Sequence, residues 1–376
     1  MGIPHLLSQI NTKRRVHLSQ FVGSSVVIDG SCFLFRSCLK APEVIVLKHD
    51  INRIVTYVID FVEKIHYYTK APVFLVFDGS DLPIKYTVSD KRSDKKRKLT
   101  LYKELIKTDP VQAKKLLISS FILDATQMQQ LSSRVSDNFK KNKWFFLINA
   151  PYEGDQQVAF LHNSGLADIV ITQDSDLLVL EAKKVIYNYN QLDNEGNLVL
   201  KEDYPNINRS QMLQIAALAA SNYIKDQIKT NIATSYSKLK EFNFNTILTA
   251  SYLFTHQSRI SSQYQNFQQY MKQIVGQICC YQYQIIYNPF TGQIENYCKV
   301  DENELRQIKE VLEPSFGPNF FGDSNISLDV VYGGNGNIQI RNKLQLLKGL
   351  PHNDSFRNFS MEKDFGVQFE DFHSLE

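Results

Sequence analysis

APYEGDQQVAFLHNSGLADIVITQDSDLLVL, residues 150–180, carries two acidic pairs of identical spacing, each just downstream of an apolar run. Trp144–Ala150 (WFFLINA) leads into Pro151-Tyr152-Glu153-Gly154-Asp155, and Asp168–Asp174 (DIVITQD) leads into Ser175-Asp176. Short apolar runs separated by helical stretches are the pattern of parallel strands buried on both faces. Upstream, Ser24–Asp29 (SSVVID) and Val73–Asp78 (VFLVFD) repeat it, each ending in Asp. Open parallel sheets place their sites outside the carboxyl ends of the strands. Asp29, Asp78, Glu153, Asp155, Asp174 and Asp176 are therefore expected to converge on one pocket. Any one of them alone would be an ordinary loop or cap residue, but six in this arrangement argue for a site. Crowded carboxylates cannot all stay ionised without a compensating cation. Hard oxygen ligands in this number suit Mg²⁺ or Mn²⁺, with room for two ions.

Composition agrees with a folded enzyme. The chain has 376 residues, 43% of them hydrophobic, enough for one large α/β domain or two smaller ones. No stretch reaches the roughly 18 uninterrupted apolar residues of a membrane span, and no membrane association is expected. A net charge of +3 implies no partner by itself. The five cysteines (Cys32, Cys38, Cys279, Cys280, Cys298) form no CxxC pair and are odd in number, which favours reduced thiols in an intracellular compartment. The start, MGIPHLL, has neither a signal peptide nor an Arg-rich transit sequence, and Ser8 fits a myristoylation pattern poorly.

The organisation follows from changes of pattern. The chain reads as α/β: a mostly parallel central sheet flanked by helices. Residues 1–84 read as strand, long helix, strand, with Ile51–Lys64 as an amphipathic helix packed on the sheet. Residues 85–143 are polar, charged and helical, an excursion above the sheet and not a further layer of it. Residues 144–207 resume the alternation, with Val185–Gln191 and Asn197–Leu200 as a hairpin around Asp193-Asn194-Glu195-Gly196. Residues 208–340 are mostly helical to about 275, then carry a strand over 281–287 and a turn at Pro289-Phe290-Thr291-Gly292. Residues 341–376 are polar with scattered Phe and are expected to form a loose tail. There is no internal repeat.

These motifs together resemble the flap-endonuclease and xeroderma-pigmentosum-group-G superfamily of structure-specific 5′ nucleases, nearest its exonuclease-one branch. MGIPHLL is similar to the family's MGI-x-GLL start, and VVIDG and VFDGSDLPIK match its first two acidic blocks. Residues 150–180 match its internal region, and YQYQIIYNPFTGQI is similar to the segment closing the exonuclease-one core. The resemblance covers roughly residues 1–340. It implies a PIN-like 5′ nuclease core over 1–84 and 144–207, a helical arch over 85–143, and a helix-two-turn-helix element on duplex DNA within 208–340. It implies DNA with 5′ ends, flaps or nicks as substrate and two-metal phosphodiester hydrolysis. By resemblance Asp29, Asp78, Glu153 and Asp155 hold one ion directly or through water, and Asp174 and Asp176 reach towards the second.

Lys85 and Arg92 match the arch cations that hold the scissile phosphate and offset transition-state charge. Lys95, Lys96 and Arg97, within the basic run Lys91–Lys98, would draw single-stranded DNA backbone. Gly2, with a free amino group after Met removal, is implied to approach the DNA or the site, or else to tether the N-terminus. Three positions depart from the family. Its seventh carboxylate, in a Gly-Cys-Asp-Tyr block, falls at Asn222 within Leu218-Ala219-Ala220-Ser221-Asn222-Tyr223. Its Gly-x-Gly turn, which meets a K⁺ ion and DNA phosphates, falls near Lys229-Thr230-Asn231-Ile232, where no glycine occurs, so that K⁺ site is expected to be lost. Ser31 and Phe35 replace the Tyr and His of the exonuclease-one wedge.

Two readings stay open at this stage. One is a Mg²⁺-dependent 5′ nuclease with a weakened second-metal site. The other is a catalytically impaired nuclease fold serving as a DNA-binding or structural subunit of a protein assembly. An unrelated metal phosphatase or RNase on a similar sheet is a distant third. Gln368-Phe369-Glu370-Asp371-Phe372 lacks the spacing of a sliding-clamp motif. A DNA-repair role makes the nucleus the default compartment, with a mitochondrial location open.

Overall fold

The computed structural model describes residues 3, 6–9, 14–84, 88–219, 230–298, 301–318, 320, 322, 360–365 and 367. The central sheet is built from β1 (Arg14–His17), β2 (Val26–Asp29), β3 (Val73–Phe77), β4 (Phe145–Asn149), β5 (Ile169–Thr172), β6 (Lys184–Asn190) and β7 (Glu195–Leu200). Their spatial order is β1-β7-β6-β5-β2-β3-β4. The five strands from β6 to β4 are parallel, and β7 and β1 close one edge antiparallel. The chain thus lays β3 and β4 on one side of β2 and returns to place β5 and β6 on the other. The reversal puts a crevice beyond the carboxyl ends of β2 and β5, where open α/β sheets bind ligands.

Side chains alternate between two cores. Val27, Phe74, Val76, Phe146, Ile148 and Val170 face one cluster, and Val26, Ile28, Leu75, Phe77, Phe145, Ile169 and Ile171 face the other. With both faces covered, the strands read as continuous apolar runs and not as alternating ones. Helices 30–40, 51–69 and 125–138 cover the second face through residues such as Phe33, Phe61 and Leu131. Helices 154–163, 209–219, 267–282 and 302–316 cover the first.

Several expectations are corrected. The helix expected over Ile51–Lys64 runs to Thr69, because Ile65 and Thr69 continue its buried stripe until Lys70 turns left-handed (φ 56°) and its N–H closes on His66 O at 2.8 Å. The charged excursion divides into helices 88–105, 110–119 and 125–138. The last of these is a layer of the sheet after all, since Leu131 and Val135 are fully buried and pack with Phe139 and Phe145. The 184–200 hairpin forms, but its turn lies at 191–194, with Asn194 at φ 58°, and Gly196 is already paired in β7. The strand expected over 281–287 begins only at β8 (Ile285–Asn288), which pairs with β9 (Gln293–Asn296) around Gly292 at φ 73°. Helix 267–282 takes Tyr281 and Gln282 instead. It is buried all round from Ile274 onward, so hydrophobic periodicity could not separate helix from strand there. Within the expected tail, helix 361–365 docks Met361, Phe365 and Val367 into the first core. The five cysteines are buried free thiols, as expected. Among the described residues no helix is long and apolar enough to cross a membrane.

His162, at the end of helix 154–163, joins that helix to β6. Its Nδ1 meets Ala167 O at 2.9 Å, and its Nε2 accepts from the N–H groups of Lys183 and Lys184 at 3.0 and 3.3 Å. That arrangement requires a neutral ring, and burial pushes its pKa down to about 4. A folded-state pKa below the unfolded value leaves the contribution intact above about pH 6.5 and removes it as pH falls through 4, a loss of about 3 kcal/mol. Urea midpoints of wild type and His162→Asn should therefore converge between pH 7 and pH 4. Curves that stay parallel would show that His162 does not carry this buried neutral contact.

Candidate metal centre

The acidic residues stand at the crevice because the sheet puts them there. Asp29 is the last residue of β2, Asp78 follows β3, Asp155 lies in the first turn of the helix after β4, and Asp174 and Asp176 follow β5. Asp155, Asp174 and Asp176 each bring a carboxylate oxygen within 4.8 Å of the others, the one such cluster among the described residues. Asp29, Asp174 and Asp176 are buried, and Asp155 is partly exposed.

Hydrogen bonds between strands hold the cluster together. Thr172 Oγ1, at the end of β5, donates to Asp29 Oδ2 at 2.7 Å and accepts from the Asp174 N–H at 2.9 Å. The other oxygen, Asp29 Oδ1, accepts from the Cys32 N–H at 3.2 Å and caps helix 30–40. Asp174 Oδ1 accepts from the Asp176 N–H at 3.0 Å, a tight turn that aims both side chains the same way. Asp78 Oδ1 accepts from the Gly154 N–H at 2.8 Å, and the Asp78 N–H donates to Ser31 Oγ at 3.0 Å. A Cβ on Gly154 would lie 2.8 Å from Asp78 Oδ1, so only glycine lets the helix start this close to the carboxylate.

Electrostatics point the same way. Burial, then the carboxylates of Asp174, Asp29, Asp176 and Asp78, hold the Asp155 carboxyl well above the usual carboxylate range. Four neighbouring anions acting on one partly buried carboxyl are a donor set that fits a hard divalent cation. Glu153 falls outside the 4.8 Å cluster. It occupies the N-cap position of helix 154–163 without a capping hydrogen bond, where the backbone switches from extended to helical between it and Asp155.

Other expected site residues are placed as follows. Gly2, Lys85 and Asn222 lie outside the described residues, as does the side chain of Arg92, whose backbone belongs to helix 88–105. Lys95 Nζ donates to the Ile122 carbonyl at 3.4 Å and Arg97 pairs with Asp94 at 2.8 Å, while Lys96 is exposed. Ser31 is half-buried and spent on Asp78, and Phe35 is 41% exposed. Sequence reasoning missed Thr172, Ser175 and Gly154. The signal for Thr172 was a hydroxyl two residues before a paired Asp, at the last position of a strand.

The N-terminal residues 1–99 match the model of the XPG N-terminal domain, and residues 145–246 match the XPG I-region, together more than half of the chain. The chain belongs to the XPG family. Among curated XPG relatives, exonuclease 1 of Danio rerio is 31% identical over 205 residues, 52% of this chain and 24% of that protein. DNA damage-inducible protein DIN7 of Saccharomyces cerevisiae is 24% identical over 341 residues, 83% of this chain and 73% of that one. The chain thus spans about a quarter of the length of the exonuclease 1 relatives it matches. Of solved structures, the catalytic core of Rad2 in complex with DNA substrate aligns over 100% of this chain and 98% of that one, at 16% identity and a TM-score of 0.49. The Holliday junction-resolving enzyme GEN1 with product DNA and Mg²⁺ aligns over 65% and 52%, at 15% identity and a TM-score of 0.41.

Without metal, ionised Asp155 works against the fold. Its folded pKa lies above the unfolded value, so its contribution is present at low pH and lost as pH rises. In EDTA at pH 7.5, Asp155→Asn should therefore melt several degrees above wild type, with the gap closing towards pH 4. Equal melting temperatures across that range would mean that the cluster is not repulsive.

Proposed function

We propose that the chain is a Mg²⁺-dependent, structure-specific 5′ nuclease acting on DNA. The observation that carries this reading is the convergence of Asp155, Asp174 and Asp176, with Asp29 and Asp78 behind them, at the strand ends of an XPG-family sheet. Asp155, Asp174 and Asp176 would ligate metal. Asp29 and Asp78 would contribute through oxygens that also organise the backbone, and Glu153 would complete the set. Mg²⁺ or Mn²⁺ bound here, as two ions, would supply Lewis-acid stabilisation of the charge that builds up in phosphodiester hydrolysis. The protein's own share is to hold the carboxylates rigidly, to exclude water behind them, and to bring the Lys85 and Arg92 cations to the scissile phosphate. Gly2, Lys95, Lys96 and Arg97 are assigned to DNA-backbone contact, most simply Lys96, which is exposed.

The domain roles follow the same reading: nuclease core in 1–84 and 144–207, an arch in 85–143 whose last helix, 125–138, packs back on the sheet, and DNA-duplex binding and core closure in 208–340. A K⁺ site is not assigned to the turn at 230–232. There Thr230 Oγ1 donates to the Leu218 carbonyl and lies 2.7 Å from Ser235 Oγ, and the Asn231 side chain caps the following helix at 2.8 Å. The nucleus is the default compartment for a DNA-repair nuclease, and imaging of the tagged chain tests it against mitochondria.

Purified protein should cleave a 5′-flap or nicked duplex with Mg²⁺ and not with EDTA. Asp174→Ala should abolish cleavage while leaving the far-ultraviolet circular dichroism unchanged. Cleavage that survives the substitution would remove the cluster from the reaction. No Mg²⁺-dependent cleavage by wild type, with flap DNA still bound, would favour the role of a non-catalytic subunit.

Asn222→Asp tests the position at which the chain lacks the family's carboxylate. A unit charge 4 Å from a divalent ion is worth roughly 8 kcal/mol at an effective dielectric near 20, before desolvation. Even a quarter of that corresponds to more than tenfold. The substitution should raise cleavage at limiting Mg²⁺ at least tenfold, with a smaller gain at saturating metal. No change in either cleavage or Mn²⁺ titration would place residue 222 away from the metals.

A further inference from the structure

Ser175, in the middle of the Asp174–Asp176 turn, is joined to Ile3 across almost the whole N-terminal half of the chain. The Ile3 N–H donates to Ser175 Oγ at 2.8 Å, and Ser175 Oγ donates to the Ile3 carbonyl at 3.2 Å. Both residues are 3% exposed. Ile3 packs in the first core with Val170 and Leu177, which flank the turn on either side. Ser175 lies between Asp174 and Asp176, and its backbone is fixed by the Asp174 Oδ1 contact with the Asp176 N–H. The turn is therefore held on one side by Thr172 and Asp29, within the sheet. On the other it is held by a reciprocal pair of hydrogen bonds to the backbone of residue 3.

We infer that Ser175 is a positioning residue that clamps the start of the chain onto the Asp174–Asp176 turn, so that metal affinity depends on an intact N-terminal segment. The inference rests on the metal reading above. Carboxylates crowded within 4.8 Å repel one another, and without metal that repulsion works against the closed turn. A buried hydroxyl that both gives and receives a hydrogen bond opposes the opening. If either bond is lost, a buried polar group is left unsatisfied. Groups that orient metal ligands from behind typically matter by 10–100-fold in metal affinity. Because Ser175 acts through backbone atoms of Ile3, removing the hydroxyl and removing the N-terminal residues should break the same link.

The test is a double-mutant cycle read by Mn²⁺ calorimetry and by hydrogen exchange. The four proteins are the full chain, Ser175→Ala, a chain lacking Gly2 and Ile3, and the combination. Ser175→Ala should weaken Mn²⁺ binding about tenfold and speed exchange of the Ile3 amide by at least that factor, and Ser175→Thr should restore most of both. The truncation should weaken Mn²⁺ binding to a similar extent, and Ser175→Ala should add less than twofold on top of it, because coupled sites are not additive. Additive losses, or unchanged Mn²⁺ binding in Ser175→Ala, would overturn the clamp. If Ser175→Ala does not fold, the cycle is run with Ser175→Cys, which keeps the volume and weakens the hydrogen bonds. A full chain that takes up no Mn²⁺ would overturn the metal reading. In that case Ile3 exchange would still report the hydrogen bonds on their own.

Discussion

Repulsion between carboxylates is the constraint around which the N-terminal half of this chain is arranged. Three of them lie within 4.8 Å of one another, and two more act on Asp155 from β2 and from the residue after β3. Such a cluster persists only on a backbone that cannot relax away from it. The sheet provides that backbone, since β2 is fully buried and bonded in parallel to β3 on one side and β5 on the other. Thr172 then ties the two strand ends together through a single hydroxyl shared by Asp29 and the Asp174 amide. Stability given up locally in this way is characteristic of sites whose charge is meant for a ligand.

The strands and their acidic ends were legible in the sequence for a physical reason. A strand buried on both faces must be apolar throughout, and the first polar residue after it marks where the sheet stops. Val26–Asp29 and Ile169–Thr172 show this directly. The convergence of Asp174 and Asp176 followed from their i, i+2 spacing, because an Asx turn holds them together. The same spacing at Glu153 and Asp155 did not put both in the cluster, because a helix begins between them. Spacing carries a direction only when the backbone conformation is known. Thr172 to Asp29 spans 143 residues and Ser175 to Ile3 spans 172, so no local pattern could announce either bond.

Helix 125–138 shows the other limit of legibility. Its sequence, ATQMQQLSSRVSDN, is too polar to suggest a core element. Yet Leu131 and Val135, one helical turn apart, are enough to seat it against helix 51–69, and a capping box at Asp124 and Gln127 fixes its start. Composition over a long window averaged this narrow stripe away. Within the segment expected as a tail, Met361, Phe365 and Val367 likewise supply a small apolar face in a polar stretch.

Charge in the arch is also less available than composition suggests. Helix 88–105 is strongly basic, but Asp94 takes up both Arg97 and Lys98, at 2.8 and 2.6 Å. Lys95 and Lys98 reach across to the carbonyls of Ile122 and Ser119, at 3.4 and 3.0 Å. These ammonium groups fasten helix 88–105 to the end of helix 110–119, and through Phe121 and Leu123 to the core beneath. A cation that holds the hairpin together still contributes to its long-range field, but it cannot also turn to a phosphate without loosening the hairpin. On the proposed nuclease reading, the basic charge of helix 88–105 would act on DNA mainly through its summed field. Close contact with a phosphate would then come most readily from Lys96, which the fold leaves exposed, while Lys95 could make it only by giving up its bond to the Ile122 carbonyl. Long-range attraction and close contact would thus fall to different lysines on one helix, a division set by which of them the neighbouring carbonyls reach.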